Sequence, residues 1–386
     1  MSDDPRFETE IRDDFQVGFT HRLLFGRDTL EPASPVLRQA FGAQGGGPRP
    51  GMVAVIDSNL AATRPELASA LAHRCEDETL PELRRILVVP GGEAAKNDPA
   101  VVDAVLAAIE AHRIDRRSYV AIFGGGAVID AAGFAASTAH RGVRVVRFAS
   151  TVLAQLDAAI GVKNGVNRFG KKNFQGCFDV PTAVVCDERM LESLDDRDWR
   201  SGFSEAVKIA CLKDPAFLDR IEADAARIRE RDADAARPVI HRCAELHLRH
   251  ISRGGDPFER AEARPLDFGH GVAHRLESIS DFQVTHGEAV SIGIAVDTVY
   301  SELDGRLDPG ASARILSVLR ELGLPVHHDL LADPRIFDGL EEFREHLGGR
   351  LTVTLLEDVG RPVEVHAMDR DLVNRTIGRL GDVVNA

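Results

Sequence analysis

The sequence predicts an α/β domain built on a parallel sheet, followed by a mostly α-helical domain, with the boundary near residue 195 (1–195 and 196–386). Three observations predict it. At 386 residues the chain exceeds what one ordinary core accommodates. Up to residue 195, short apolar runs alternate with helical stretches, the βαβ pattern of a parallel sheet. Beyond it the helical period dominates.

The elements follow in order. FETEIRDDFQVGFTHRLL alternates roughly every second residue, which suggests an antiparallel hairpin or edge strands. GAQGGGPRPG (42–51) is a flexible loop. MVAVID (52–57) reads as a buried strand, with a helix through RPELASALAHRC after it. RRILVVPGGE (84–93) is a strand and loop, followed by a helix through PAVVDAVLAAIEAHRI. SYVAIFGGGAVIDAAGFAAST (118–138) is strand, glycine turn and helix; RVVRFAS (144–150) is a further strand. From Asp195 to about residue 252 the chain is helical in period, as are the segments after His270. LTVTLLEDV and PVEVHAMD form two short strands near the end. No internal repeat is evident. A cleft between two such domains is the usual place for a ligand site.

Composition narrows the function classes. An apolar fraction of 44% belongs to a globular chain. The formal charge of -14 argues against nucleic acid as a partner, though a local basic pocket remains compatible with it. Cys75, Cys177, Cys186, Cys211 and Cys243 are scattered and form no CxxC pair, as free thiols in a reducing cytosol would be. The acidic start, MSDDPRFETEIRDD, has no apolar core of a signal peptide, and no uncharged apolar run reaches membrane-span length, so the expected location is cytoplasmic.

Several stretches carry chemistry. His270 and His274 are four apart and share one face of a helix, and His286 lies sixteen residues beyond His270. Two imidazoles on neighbouring helices hold a divalent metal when a carboxylate joins them, and Glu205 in GFSEAVKIACLKD is the candidate. Such a His/His/Glu set leaves coordination positions open, as catalytic metals require. Glu205 and Lys208, three apart, also fit a surface salt bridge. FGGGAVIDAAGF follows a strand and opens a helix, so its backbone can approach a pyrophosphate. It is not GxGxxG, and a tight turn without ligand fits equally well. Asp57 and Asn59 follow a strand where acidic groups hold ribose hydroxyls; a helix N-cap by Ser58 or Asn59 is the alternative. Glu93 and Lys96 fit a ligand loop or a surface ion pair. Residues 148–181 gather Ser150, Thr151, Asp157, Lys163, Asn164, Asn167, Lys171, Lys172 and Asn173 among glycines, which suits phosphate or sugar hydroxyls.

Together, PGGEAAKN, FGGGAVIDAAGF, STVLAQLDAAIGVKNGVN, GKKNFQG, GFSEAVK, FGHGVAHRLE and HGEAVSIGI, in this order, resemble the successive blocks of 3-dehydroquinate synthase and its relatives, the sugar phosphate cyclases. The resemblance covers residues 52 to 300 and, more weakly, the rest. It implies a homodimer with a Rossmann-like NAD-binding domain and a helical metal-binding domain. It implies zinc or cobalt on Glu205, His270 and His286. NAD contacts would be Asp57, Asn59, Glu93, Lys96, Gly125, Gly126, Asp130, Ser150, Thr151, Asp157 and Lys172. The phosphate of a small sugar phosphate would meet Lys163, Asn173, Lys208 and His274, with the partner subunit's Arg141 reaching in. The reaction implied is transient oxidation of a ring hydroxyl, phosphate elimination, reduction, ring opening and intramolecular aldol closure.

The chain departs from the synthase where that enzyme holds its substrate's carboxylate. Asp267 and Gly271 replace an asparagine and a threonine, Ala263 (beside Arg264) replaces an arginine, and Arg249–His250 fall where a lysine is expected. FREHLGG, with Arg344, Glu345 and His346, replaces a late lysine pair. An aspartate facing a carboxylate repels it. The expected substrate is therefore sedoheptulose 7-phosphate, giving a valiolone-type cyclitol, and Asp267 joins the candidate catalytic residues. The alternatives are 3-dehydroquinate synthase itself, with Arg264 and Arg344 taking the carboxylate, a metal-dependent polyol dehydrogenase, and a non-catalytic scaffold descended from a cyclase.

Overall fold

The computed structural model describes residues 10–42, 47–254, 257–258, 265–337 and 351–385. The first half contains β1 (Leu23–Gly26), α1 (Val36–Phe41), β2 (Gly51–Asp57), α2 (Ser58–Thr63), α3 (Leu67–Arg74), β3 (Glu82–Val89), α4 (Ala94–Asn97), α5 (Pro99–Ala111), β4 (Tyr119–Gly124), α6 (Gly126–Thr138), β5 (Arg144–Ala149), β6 (Lys163–Arg168), β7 (Lys171–Phe178) and β8 (Ala183–Asp187). Six of these strands form a parallel sheet in the order β1-β8-β5-β4-β2-β3, while β6 and β7 form a separate antiparallel hairpin. In β2, β4 and β8 every residue is buried, because helices cover both faces of a parallel sheet. Chain order reverses between β2 and β4, so their carboxyl ends flank the topological switch point where α/β sheets bind ligands.

The helical half comprises α7 (Glu188–Leu191), α8 (Asp196–Ser201), α9 (Phe203–Lys213), α10 (Pro215–Arg229), α11 (Ala233–Arg253), α12 (His270–Ile279), α13 (His286–Leu303) and α14 (Pro309–Glu321). An antiparallel hairpin, β9 (Val353–Asp358) with β10 (Arg361–Val365), and a last helix, Arg370–Asn385, follow. α5, α10 and α14 each start with an Asp–Pro pair. The aspartate side chain accepts a backbone N–H of the first turn, a cap of about 1 kcal/mol, and the proline takes the position that needs no N–H.

One core lies on each face of the sheet, and a third fills the helical half. That third core includes Val152 and Leu156, so the segment after β5 packs into the helices. α13 runs through its middle, buried almost throughout. It can approach α12 closely because a Cβ on Gly293 would lie 1.8 Å from the Gly269 carbonyl oxygen. Gly269 itself has φ +80°, a conformation that favours glycine.

The N-terminal expectation holds for one edge strand, since Leu23 and Leu24, which close that segment, enter β1 at the sheet's edge, and is corrected for the rest. Residues 10–22 enter no ladder, and Phe15, Val17 and Phe19 are exposed. The edge strand that follows, β1, pairs parallel with β8, a partner about 160 residues away that local alternation does not reveal. Among the described residues no helix is long and apolar enough to cross a membrane.

Candidate active site

Asp57 ends β2 and caps α2: its Oδ1 accepts the Asn59 N–H at 2.8 Å, so Asp57 is the cap rather than Ser58 or Asn59. Ser58 Oγ instead accepts the Gly91 N–H at 3.2 Å. A Cβ on Gly91 would meet the Asp57 carboxylate at 2.3 Å. Burial pushes the Asp57 carboxyl up, opposed by the N–H groups of Asn59, Leu60 and Gly125. Across the switch point Gly125 precedes α6, with Thr151 packed against it and Gly126 at the helix start. Thr151 Oγ1 accepts the Ala154 N–H at 3.0 Å, and the buried Ser150 donates its N–H to the Gly124 carbonyl at 3.0 Å. Two loops, a helix N-terminus and a buried acid thus converge, and this arrangement fits a dinucleotide.

Glu93 and Lys96 are not paired with each other. Lys96, itself buried, donates to Asp130 Oδ2 at 2.6 Å and to the Asn173 side-chain oxygen. Glu93 Oε1 accepts from Asn167 Nδ2 at 2.6 Å, and Asn167 Oδ1 accepts the Asn173 N–H at 2.9 Å. The β6–β7 hairpin is therefore stitched to the crevice. Lys172 extends the line: its Nζ lies 3.7 Å from Glu93 and donates to Glu277 Oε1 of α12 at 2.6 Å.

Glu205 on α9, His270 at the start of α12 and His286 at the start of α13 offer ligand atoms all within 4.8 Å of one another. Glu205 Oε1 lies 3.7 Å from His286 Nε2 and 4.0 Å from His270 Nε2. Metal bonds of about 2.0–2.2 Å, opened beyond about 105°, span donor pairs of about 3.3–4 Å, so a common ion fits. The other imidazole nitrogens are engaged: His270 Nδ1 at 3.2 Å from the Phe268 carbonyl, His286 Nδ1 at 3.1 Å from Glu277 Oε2. In the neutral ring, donation from Nδ1 to those acceptors leaves Nε2 with a lone pair. Glu205 is fully buried, and neither carboxylate oxygen accepts a hydrogen bond of good geometry among the described residues. Lys208 Nζ sits 2.5 Å from Oε2, an ion pair off the hydrogen-bonding direction. That pair is buried, not the surface bridge its spacing also allowed. Among the described residues Oε1, which faces both imidazoles, has no donor of its own, and a buried oxygen left so is costly.

The surroundings reinforce this. Burial pulls the Lys208 ammonium down, yet Glu205, Asp157 and Asp267 outweigh it and its pKa is raised. Asp157 is held well below the usual carboxylate range, against burial, by Lys208 and His247. Burial pulls His270 well below its ordinary value, with Lys208, His274 and His286 adding to it. The His274 ring centroid lies 5.3 Å from His270 and 5.9 Å from His286. Asp267 forms the last residue of a short 3-10 turn, Pro265–Asp267, three residues before His270.

Two candidates are exposed. Lys163 opens β6 with its side chain exposed. Arg141 is exposed beyond the far end of α6, a helix of 13 residues or about 20 Å, so it does not join its own subunit's crevice. Arg249 is half exposed and pairs with Glu245 at 2.5 Å. The buried imidazole on that helix is His247, whose Nδ1 lies 3.0 Å from Asp157. His247 and Glu277 escaped the sequence reading, although Glu277 stands in FGHGVAHRLE. Arg147 also escaped it: fully buried on β5, it donates to the carbonyls of Ala159 (2.8 Å) and Gly161 (2.6 Å) and to Asn164 Oδ1 (2.8 Å). It thereby shapes the turn between Asp157 and Lys163. Ala263, Arg264, Arg344, Glu345 and His346 lie outside the described residues.

Comparison with known proteins gives consistent matches. The 3-dehydroquinate synthase N-terminal family matches residues 86–201, and the 3-dehydroquinate synthase C-terminal family matches 202–344. A 3-dehydroquinate synthase of Thermobifida fusca is 35% identical over 276 residues, 72% of this chain and 74% of that protein. Among solved structures, ValA, a 2-epi-5-epi-valiolone synthase from Streptomyces hygroscopicus with NAD+ and Zn2+ bound, superposes with a TM-score of 0.85 at 26% identity, covering 97% of this chain and all (100%) of that one. A 2-deoxy-scyllo-inosose synthase complexed with carbaglucose-6-phosphate, NAD+ and Co2+ superposes with a TM-score of 0.73 at 21% identity over 92% of this chain and 95% of that one, a likeness of fold.

Proposed function

This chain belongs to the 3-dehydroquinate synthase family of sugar phosphate cyclases, and we propose that it closes sedoheptulose 7-phosphate to a valiolone-type carbocycle with loss of phosphate. The observation that carries this reading is Asp267, close enough to Lys208 to raise its pKa and three residues from His270. A substrate carboxylate about 4 Å from Asp267 would be repelled by about 4 kcal/mol at an effective dielectric of about 20. A neutral hydroxyl there instead donates a hydrogen bond. The likeness to ValA, a valiolone-type synthase, supports the same substrate class.

Glu205, His270 and His286 would hold the divalent ion, zinc or cobalt, and the crevice around Asp57, Asn59, Glu93, Lys96, Gly125, Gly126, Asp130, Ser150, Thr151, Asp157 and Lys172 would hold NAD+. When bound, these groups supply polarisation of a ring hydroxyl and reversible hydride exchange. The chain's own residues do the rest. Lys208, with Asp157 and Glu205 beside it, stays protonated and offers its charge to the departing phosphate. Lys163, Asn173 and His274 complete that anion site, together with the partner subunit's Arg141 in a homodimer. The position of Arg141, distant from its own crevice, supports that sharing. The free cysteines fit a cytoplasmic enzyme.

The second reading is 3-dehydroquinate synthase proper, favoured by the activity named for relatives such as that of Thermobifida fusca. A phosphate-release assay on sedoheptulose 7-phosphate and on 3-deoxy-D-arabino-heptulosonate 7-phosphate, with product identification, separates the two. Turnover of the first and not of the second is expected, without net NADH. The reverse preference sinks the proposal. Asp267→Asn is expected to lower turnover of sedoheptulose 7-phosphate by about tenfold or more, about 1.4 kcal/mol.

A further inference from the structure

His270 and His286 face the same carboxylate oxygen, but they are held differently. His270 Nδ1 meets a neutral backbone carbonyl, that of Phe268. His286 Nδ1 meets the Glu277 carboxylate. A carboxylate behind an imidazole fixes its tautomer and strengthens the metal-facing nitrogen. Glu277 is almost fully buried, and its two oxygens have separate duties: Oε2 to His286 at 3.1 Å, Oε1 to Lys172 at 2.6 Å. Lys172 belongs to β7, so a cation from the sheet half draws on the same charge that serves a ligand in the helical half.

We propose that Glu277 is the positioning residue for the metal ligand His286, and that Lys172, through Glu277, tunes how strongly that imidazole binds the ion. The inference rests on the reading that Glu205, His270 and His286 hold the metal. His274, Glu277 and His286 also lie near enough to form an ion group of their own. The geometry argues against that use: both Glu277 oxygens are engaged, and His286 turns Nε2 toward Glu205.

The test is titration of the metal-stripped full-length chain with Co2+ alone, against a competing chelator, following the cobalt visible absorption. Glu277→Gln is expected to weaken binding about 10- to 100-fold, with Glu277→Asp recovering part of the loss. Lys172→Met is expected to tighten binding about fivefold by removing a screened charge, and to lose most of that gain in the Glu277→Gln background. Opposite signs are the discriminating feature, since damage to packing would weaken both variants. Thermal unfolding of the metal-free variants shows whether either change disturbs the fold itself. Wild-type affinity in Glu277→Gln, weaker binding in Lys172→Met, or a second ion lost with Glu277 would each overturn the proposal. A wild-type chain without a cobalt band would remove the metal reading and this inference together; normal wild-type binding with an indifferent Glu277→Gln would remove this inference alone.

Discussion

The crevice at the sheet and the cluster between the helices are adjacent, yet they are built on opposite principles. In the crevice the polar side chains satisfy one another: Asp57 caps its own helix, Lys96 pairs with Asp130, and Glu93 holds Asn167. In the cluster, Glu205 is buried without a well-directed hydrogen bond, and two imidazoles aim lone pairs at it from fixed helix starts. The first arrangement must exchange internal contacts for ligand contacts. The second already brings its donor atoms within 4.8 Å of one another. A metal ion should therefore bind tightly with little rearrangement, while a dinucleotide gives back part of its contact energy to break existing pairs.

The contrast can be broken most decisively at Glu205. Glu205→Ala removes one of the three proposed ligands and the charge that balances Lys208; loss of stoichiometric metal and a fall in turnover beyond about 10³-fold are expected, measured by metal analysis and phosphate release. Next is the helix contact that fixes the cluster. Gly293→Ala drives a methyl into the Gly269 carbonyl, a strain of about 1–3 kcal/mol visible as a lowered thermal midpoint of the metal-free chain. On the crevice side the effect should be smaller. Lys96→Met frees Asp130 and Asn173 and should weaken NAD+ about tenfold by isothermal titration while leaving the metal content unchanged.

A separate effect concerns pH. Asp297 on α13 accepts the Gly269 N–H at 2.8 Å, and burial pushes its carboxyl from 3.8 up to about 7. Between those values the folded chain retains a proton that the unfolded chain releases. The stability from Asp297 is thus fully present below 3.8 and lost as pH rises through about 7. Asp297→Asn keeps an acceptor for Gly269 and should flatten that part of the denaturation-versus-pH profile.

How much of this was legible in the residues follows the same division. The proposed ligands Glu205, His270 and His286 stand in short motifs at element starts, where spacing and local context carry the signal. The glycine turn before α6 and the βαβ order were legible for the same reason. The parts that were not depend on distant pairing. His247 meets Asp157 across 90 positions, Lys172 meets Glu277 across 105, and β1 finds β8 across about 160. No local period encodes such partners. The alternation of Phe15, Val17 and Phe19 misled because exposed residues need no ladder.

The most direct measurement is an anomalous-scattering map of the zinc- or cobalt-loaded crystal. One metal peak within about 2.0–2.2 Å of Glu205 Oε1, His270 Nε2 and His286 Nε2 is the predicted result. A peak bound through Glu277 and His274, or ions found only away from Glu205, would contradict the account.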